Sequence, residues 1–275
     1  MSLFNKIVSV YELPRRVFGP LYSRHFSNLE NIKEYNFNIN RITRKKGISC
    51  MLRVKNEEKK VWSCLNSIFP VFDEIVFIDN GSTDNTLSIV KDFISKNKAE
   101  NIVVYHYPYH ISRCGEEHYL TPDNSIHSLV YYYNFCLSKC HYSYVCKWDA
   151  DMILHPDDIN RLKSKLVHLN TWWPTFTELD VQTIYLKNHQ IYTCKDDVNF
   201  EIRVFPNRSD VFFVKDNEFE ILQAKLYNIL HISIQDVRVF EQKDTNMNEF
   251  SHWSSYEFVT DRKKRSGKIL IKYSL

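Results

Sequence analysis

The segment Trp148-Asp149-Ala150-Asp151-Met152 places two carboxylates two residues apart. In extended chain, alternate side chains face the same way, so Asp149 and Asp151 can share one cation. Hard oxygen ligands of this kind suit Mg²⁺ or Mn²⁺, which keep several waters and complete their shells with substrate phosphates. If those phosphates belong to a nucleoside diphosphate that leaves during reaction, the metal stabilises the developing negative charge as a Lewis acid. Taken alone, an Asp-x-Asp more often marks a surface turn or a helix start, and its meaning depends on the elements around it.

Those elements alternate. From Gly47 onward, Ile48, Cys50, Met51, Leu52 and Val54 form a buried-type strand closed by the polar run Lys55-Asn56-Glu57-Glu58. Val61, Trp62, Leu65, Ile68 and Phe69 recur at helical spacing until Pro70 stops them, and residues 74–79 read as a second buried strand. Asn80-Gly81-Ser82 turns the chain, Ser82 or Thr83 can cap a helix through Leu87, Val90 and Ile94, and residues 102–107 supply a third strand. After a polar loop, a helix over about 125–139 leads into a strand that ends at Asp149. This order predicts an α/β fold, Rossmann-like, with a mostly parallel central sheet flanked by helices. Ligands of open α/β sheets bind beyond the carboxyl ends of the strands, which puts Asn56, Asp79, Asp149 and Asp151 on one rim. Beyond Asp180 the pattern loosens into short strands at 181–186, 200–205 and 228–234, a small mixed region that completes a site.

Composition narrows the classes. With 275 residues, 44% hydrophobic and 25% charged, the chain can build a packed core and is neither disordered nor fibrous. Its 5 glycines are scattered and form no GxGxxG turn or Walker loop, which disfavours dinucleotide oxidoreductases and P-loop enzymes. No apolar stretch approaches the roughly 18 residues that span a bilayer, and the first residues lack a signal-peptide pattern, so a cytoplasmic location is expected. Seven cysteines without a disulfide-like spacing agree with reduced thiols. Residues 1–46 hold nine Lys/Arg against three acids and residues 261–275 six against one, leaving 47–260 at −8 within a net charge of +3. Such basic ends suit peripheral contact with an anionic membrane surface, or are simply solvated.

The stretch ISCMLRVKNEEKKVWSCLNSIFPVFDEIVFIDNGSTDNTLSIV resembles the start of a family 2 glycosyltransferase in the branch with a KNEE-type first motif. The resemblance lies in the first strand, the Asn-Glu-Glu, the Cys-Leu-x-Ser-Ile helix and the Asp-x-Gly-Ser-Thr-Asp-x-Thr, with Asn134 and the DxD of KWDADM following in order. It is similar to bacterial lipopolysaccharide and capsule glycosyltransferases. The resemblance implies a GT-A fold, a nucleotide-diphosphate sugar donor, Mn²⁺ or Mg²⁺, and inverting transfer to a hydroxyl of a glycan or glycolipid.

By that resemblance Val54, Glu57, Asp79, Asn80 and Asp149 bind the donor, and Asp151 with Asp149 holds the metal. Asp79 has a bland alternative, shaping the turn with Gly81, and Asp84 is read as structural near a helix start. Glu201-Ile202-Arg203-Val204-Phe205 resembles the segment that precedes the acceptor-side base, which points to Glu218, with Asp216 or Glu220 as alternatives. His231 joins the metal or the diphosphate, or is a core histidine on a strand. Trp172 and Trp173 offer a platform for a sugar ring, although packing is the commoner role of such side chains. Cys136, Cys140, His141 and Cys146 match no zinc spacing. The run Arg262-Lys263-Lys264-Arg265 lacks interleaved aromatic residues, so a nucleic-acid partner is not expected.

The expected organisation is a basic extension over 1–46, a GT-A domain over 47–235 and a helical, basic extension over 236–275. Two rival readings are a sugar nucleotidyltransferase, which would need a glycine-rich phosphate loop, and a non-catalytic glycan- or membrane-binding scaffold.

Overall fold

The alternation that starts near residue 47 becomes strand β3, Lys45–Val54, in the computed structural model, which describes residues 23–40, 44–169, 175–187, 190–224, 230–244 and 271–272. Cys50, Leu52 and Val54 enter one apolar layer and Met51 enters the other, so the strand is buried on both faces. Gly47 fits its place because its φ is +144°, and a Cβ there would lie 2.4 Å from Tyr142 Cδ1 and 2.6 Å from Asp73 Oδ2.

Helix α1 (Val61–Ile68), strand β4 (Glu74–Asp79), helix α2 (Thr86–Asn97) and strand β5 (Ile102–His106) follow. A short helix α3 (Glu116–Leu120) and helix α4 (Leu129–Ser138) lead to β6, Tyr142–Asp149. β4 and β6 flank β3 in parallel, with Asp79 opposite Val54 and Asp149 opposite Arg53, and β5 extends the sheet beyond β4. That register aligns the carboxyl ends of three strands. The helix before β6 starts at Leu129, later than expected, because Ser128 is its N-cap and accepts a hydrogen bond from the Tyr131 N–H.

The second half is more strand-rich than the sequence suggests. It comprises β7 (Met152–Leu154), helix α5 (Ile159–Val167), β8 (Thr175–Lys187), β9 (Gln190–Pro206), β10 (Val211–Asp216), β11 (Phe219–Ala224), β12 (Leu230–Asp244) and β13 (Ile271–Lys272). Among the described residues the main sheet runs β5-β4-β3-β6-β9-β8-β12-β7, with β13 added to β9. β9 is antiparallel to both β6 and β8, and β12 is parallel to β8. β10 and β11 form a separate antiparallel pair.

Two layers cover the sheet. Val61, Cys64, Leu65 and Ile68 of α1, Val90 and Phe93 of α2, and Leu162 and Leu166 of α5 close one face. The aromatic side of α4 (Tyr131, Tyr132, Tyr133, Phe135) closes the other, with Val211, Phe212 and Phe213 of β10.

Three expectations change. The segments expected as short strands belong to strands of 13, 17 and 15 residues. β12 runs through the boundary expected at 235/236, and residues 236–244 are strand rather than helix: 239–244 pair with β8, and 239–241 also pair with β7. Residues 24–39 are not a detached arm: strands β1 (Arg24–Phe26) and β2 (Phe37–Ile39) pair, and Phe37 stacks edge-on against Tyr131 and Phe135 of α4. No described helix is long and apolar enough to cross a membrane. Trp172, Trp173 and the basic run 262–265 lie outside the described residues.

Candidate active site

The ends of β3 and β4 are laced together by side chains of the two motifs. Asn56, held in the left-handed region at φ 55°, donates its backbone N–H to Ser82 Oγ (2.9 Å) and accepts at Oδ1 from the Thr83 N–H (2.8 Å). Glu57 N–H donates to Thr86 Oγ1, and Glu58 N–H donates to Asp84 Oδ2. Glu58 Oε2 in return accepts from the backbone and side-chain amides of Asn85. Asp84 is therefore structural, as read from the sequence, although it precedes the helix rather than sitting in its first turn.

Asp79 is fully buried and its carboxylate accepts from the amides of Gly81 (3.1 Å) and Ser82 (3.2 Å), with His106 Nδ1 at 3.0 Å. The turn-shaping alternative thus describes its contacts. Asn80 donates its side-chain amide to the carbonyls of Tyr107 and Tyr109, and its backbone N–H to the Val54 carbonyl. Glu57 lies near Lys60, at 3.8 Å.

Asp149 sits between two guanidiniums. Arg53 of β3 reaches Oδ1 at 2.5 Å, and Arg203 of β9 reaches Oδ2 at 2.7 Å and also pairs with Glu201. Arg53 alternates out of the β3 core onto the α4 side, where its guanidinium lies 3.8 Å from the Tyr133 ring centroid. Burial by itself would raise the Asp149 carboxyl, but Arg53, Arg203 and Lys147 overcome it and hold the group far below the usual carboxylate range. Burial, and then Arg203, push the Lys147 ammonium down.

Asp151 is held from another strand. Its carbonyl accepts from the Gln242 N–H at 2.8 Å and its Oδ2 meets Lys243 Nζ at 2.9 Å. Lys243 also reaches Glu241 Oε1 at 3.2 Å, so one ammonium bridges two carboxylates. Burial raises the Glu241 carboxyl, against the pull of Lys243 and with the help of Asp151 and Asp149.

These contacts decide how the expected metal pair fits. Asp149 and Asp151 each already pair with cationic side chains, Arg53 and Arg203 on the one and Lys243 on the other. In this arrangement the two carboxylates do not fit Mn²⁺ or Mg²⁺. His231 does not join them: it lies opposite Phe176 at the start of β12, whereas Lys243 lies opposite Tyr185, roughly 30 Å further along the strand at about 3.3 Å per residue. It packs edge-on against Phe176 and stands 3.7 Å from Glu178.

The β10–β11 pair carries the acids proposed for proton transfer. Asp216 is exposed at the end of β10, and Glu218 lies in the turn, where its carbonyl accepts from the Gly115 N–H. Glu220 of β11, opposite Lys215, is within electrostatic reach of Lys147 and Tyr133. Its Oε2 accepts from the Cys114 thiol at 3.3 Å, and burial followed by Glu220 pushes that thiol up to about 12. Glu220 is thereby tied to the Arg53–Asp149 cluster.

Residues 49–110 match the family described as glycosyl transferase family 2. This segment belongs to that family. The family 2 segment runs from within β3 through β5 and includes the laced loops. The chain is 46% identical over 44 residues to the SPbeta prophage-derived glycosyltransferase SunS of Bacillus subtilis (strain 168), a match covering 16% of this chain and 10% of the relative. Among solved structures, S. aureus TarS 1-349 is 13% identical with a TM-score of 0.44 over 74% of this chain and 62% of that one. Glucosyl-3-phosphoglycerate synthase from Mycobacterium tuberculosis, in complex with Mn²⁺, UDP and phosphoglyceric acid, is 22% identical with a TM-score of 0.31 over 53% and 44%. The mannosyltransferase PcManGT from Pyrobaculum calidifontis, in complex with GDP-Man and Mn²⁺, is 15% identical with a TM-score of 0.34 over 53% and 38%.

Sequence reasoning missed Arg53, Lys147, Lys243 and Glu241, and named Arg203 only within a longer stretch. A charged residue inside an apolar strand, such as Arg53 in CMLRV or Lys147 before Trp148, is the signal that was available, because a buried charge demands a partner. The Cys136 and Cys140 thiols are buried, and His141 Nδ1 pairs with Glu74 at 2.6 Å. A cavity of about 270 Å³ lined by Lys46, Gly47, Asp73 and Lys163 opens at the amino ends of β3 and β6, opposite the rim.

Proposed function

We propose that the chain is an inverting glycosyltransferase that takes a nucleotide-diphosphate sugar and glycosylates a hydroxyl of a glycan or glycolipid. The observation that carries this reading is the family 2 segment whose two loops are bound into one ledge beside Asp149, at the shared carboxyl end of β3, β4 and β6. In α/β sheets this is the end at which ligands bind. The nucleoside lies over the ledge formed by Val54, Glu57, Asp79 and Asn80, and the diphosphate lies toward the Asp149 cluster.

In the reaction the acceptor oxygen attacks the anomeric carbon as the bond to the diphosphate breaks on the opposite face. The acceptor proton passes to a carboxylate on the hairpin, and we assign this to Glu220 in preference to Glu218 or Asp216 because Glu220 is coupled to the charged cluster. Arg203 positions Asp149, which is the donor-side carboxylate. The expected Mn²⁺ or Mg²⁺ has no step here, since the carboxylates that would hold it are engaged by Arg53, Arg203 and Lys243. Contact with a membrane surface and a cytoplasmic location complete the proposal as sequence-based expectations.

Binding and hydrolysis of a panel of UDP- and GDP-sugars test it, with the native protein compared with Asp149→Asn. Selection of one donor, lost in the variant, supports the reading. If no donor binds, the scaffold alternative replaces it.

A further inference from the structure

We infer that Lys243 stands where the expected divalent cation would be, and that a nucleoside diphosphate is bound at this rim without metal. The inference rests on the nucleotide-sugar reading above and concerns how that same site balances charge.

Two observations carry it. The Lys243 ammonium bridges Asp151 (2.9 Å), in the turn between β6 and β7, and Glu241 (3.2 Å) of β12. That is the position a cation would take between them. Arg53 and Arg203 occupy the two oxygens of Asp149 in the same way, and the Nε–H of each of these guanidiniums has no hydrogen-bond partner among the described residues. A divalent ion on Asp151 would have to expel Lys243 from both of its carboxylates. On Asp149 it would meet two guanidiniums at contact distance, with Lys147 close by.

The carboxylates already have cationic side-chain partners: Arg53 and Arg203 on Asp149, Arg203 on Glu201, and Lys243 on Asp151 and Glu241. An ammonium on a flexible four-carbon stem can turn from a carboxylate to a phosphate oxygen, the move a fixed metal ligand set does not allow. Asp151 and Glu241 then act as the holder of Lys243 between turnovers.

Calorimetric binding of UDP and GDP in EDTA and in MnCl₂ decides the matter, with Lys243→Ala and Lys243→Arg alongside and Mn²⁺ paramagnetic resonance as an independent readout. The expected result is an affinity for one nucleotide that changes less than about threefold between the two buffers. Lys243→Ala weakens it about tenfold or more in EDTA, the scale of one lost charge-assisted hydrogen bond, and Lys243→Arg restores most of it. The resonance spectrum shows no protein-bound Mn²⁺. Loss of nucleotide binding by the native protein in EDTA, with recovery in MnCl₂, overturns the inference whether or not the variants fold. Absence of binding in both buffers removes the nucleotide-sugar reading itself, and this inference with it.

Discussion

The side-chain amide of Asn134 pairs with both backbone groups of Phe213, donating to its carbonyl at 2.8 Å and accepting from its N–H at 2.9 Å. Helix α4 thereby imitates a neighbouring strand for β10. This is the role of the Asn that precedes the DxD by one helix and one strand: it fixes the hairpin that carries Glu218 and Glu220. Asn134→Ala strands two buried backbone groups, and the expected loss is about 2 kcal/mol in urea unfolding. A loss under about 0.5 kcal/mol would show that water replaces the amide there.

Removing Arg203, whose guanidinium is buried, leaves the partly buried Asp149 with Arg53 and Lys147 as its compensation and takes the partner from Glu201. Arg203→Met is expected to cost about 3 kcal/mol, and Asp149→Asn in the same background to recover part of it. A double-mutant cycle by denaturant unfolding measures that coupling, and additive losses would contradict the pairing.

Acid should weaken the fold through the same carboxylate. Folded Asp149 is held below its ordinary range, and so is Asp158, where burial raises the carboxyl but the side-chain and backbone hydrogen bonds from Arg238 and the charges of Arg238 and Arg161 together lower it further. Their contribution is therefore fully present above the unfolded carboxylate pKa and is lost as pH falls through the folded values. Unfolding free energy measured from pH 7 downward should decline below about pH 4, and less steeply in Asp158→Asn.

Glu220→Gln and Glu218→Gln separate the two hairpin acids. Loss of a general base costs transfer about 10²- to 10⁴-fold, and we expect this of Glu220→Gln with donor affinity intact. Glu218→Gln should stay within a few fold, the outcome that separates the two acids. The reverse pattern in initial rates would return the role to Glu218.

At Gly47 a methyl group has nowhere to go. Gly47→Ala meets the Tyr142 ring and the Asp73 carboxylate, whose Oδ2 accepts from the Ile48 N–H, in a backbone conformation alanine avoids. A destabilisation of about 1–3 kcal/mol, read as a lower thermal midpoint, is expected.

The parallel half of the sheet was legible because each strand is a continuous apolar run closed by turn residues, as in Ile48 to Val54 and Ile75 to Asp79. Asp149 was legible because it ends such a run. Its partners were not, since Arg203 lies 54 residues away and periodicity carries no information about which charge answers which. The length of β12 was hidden for a related reason. Gln235, Asp236, Arg238, Glu241 and Lys243 interrupt the apolar pattern, and only pairing with β7 and β8 holds that stretch extended. His231 shows the opposite error: a histidine beside leucine on a strand drew attention that its distance from Asp151 does not support.

The lacing of Asn56, Glu57 and Glu58 to Ser82, Thr83, Asp84, Asn85 and Thr86 has a consequence for how this chain can vary. Besides its own internal hydrogen bonds, each short motif relies on the other to satisfy backbone amides, so each is the folding partner of the other. A change in one loop is felt as an unpaired amide in the other, 26 to 29 positions along the chain. The two motifs thus form a single structural unit, in which a substitution on one side is expected to need a compensating one on the other.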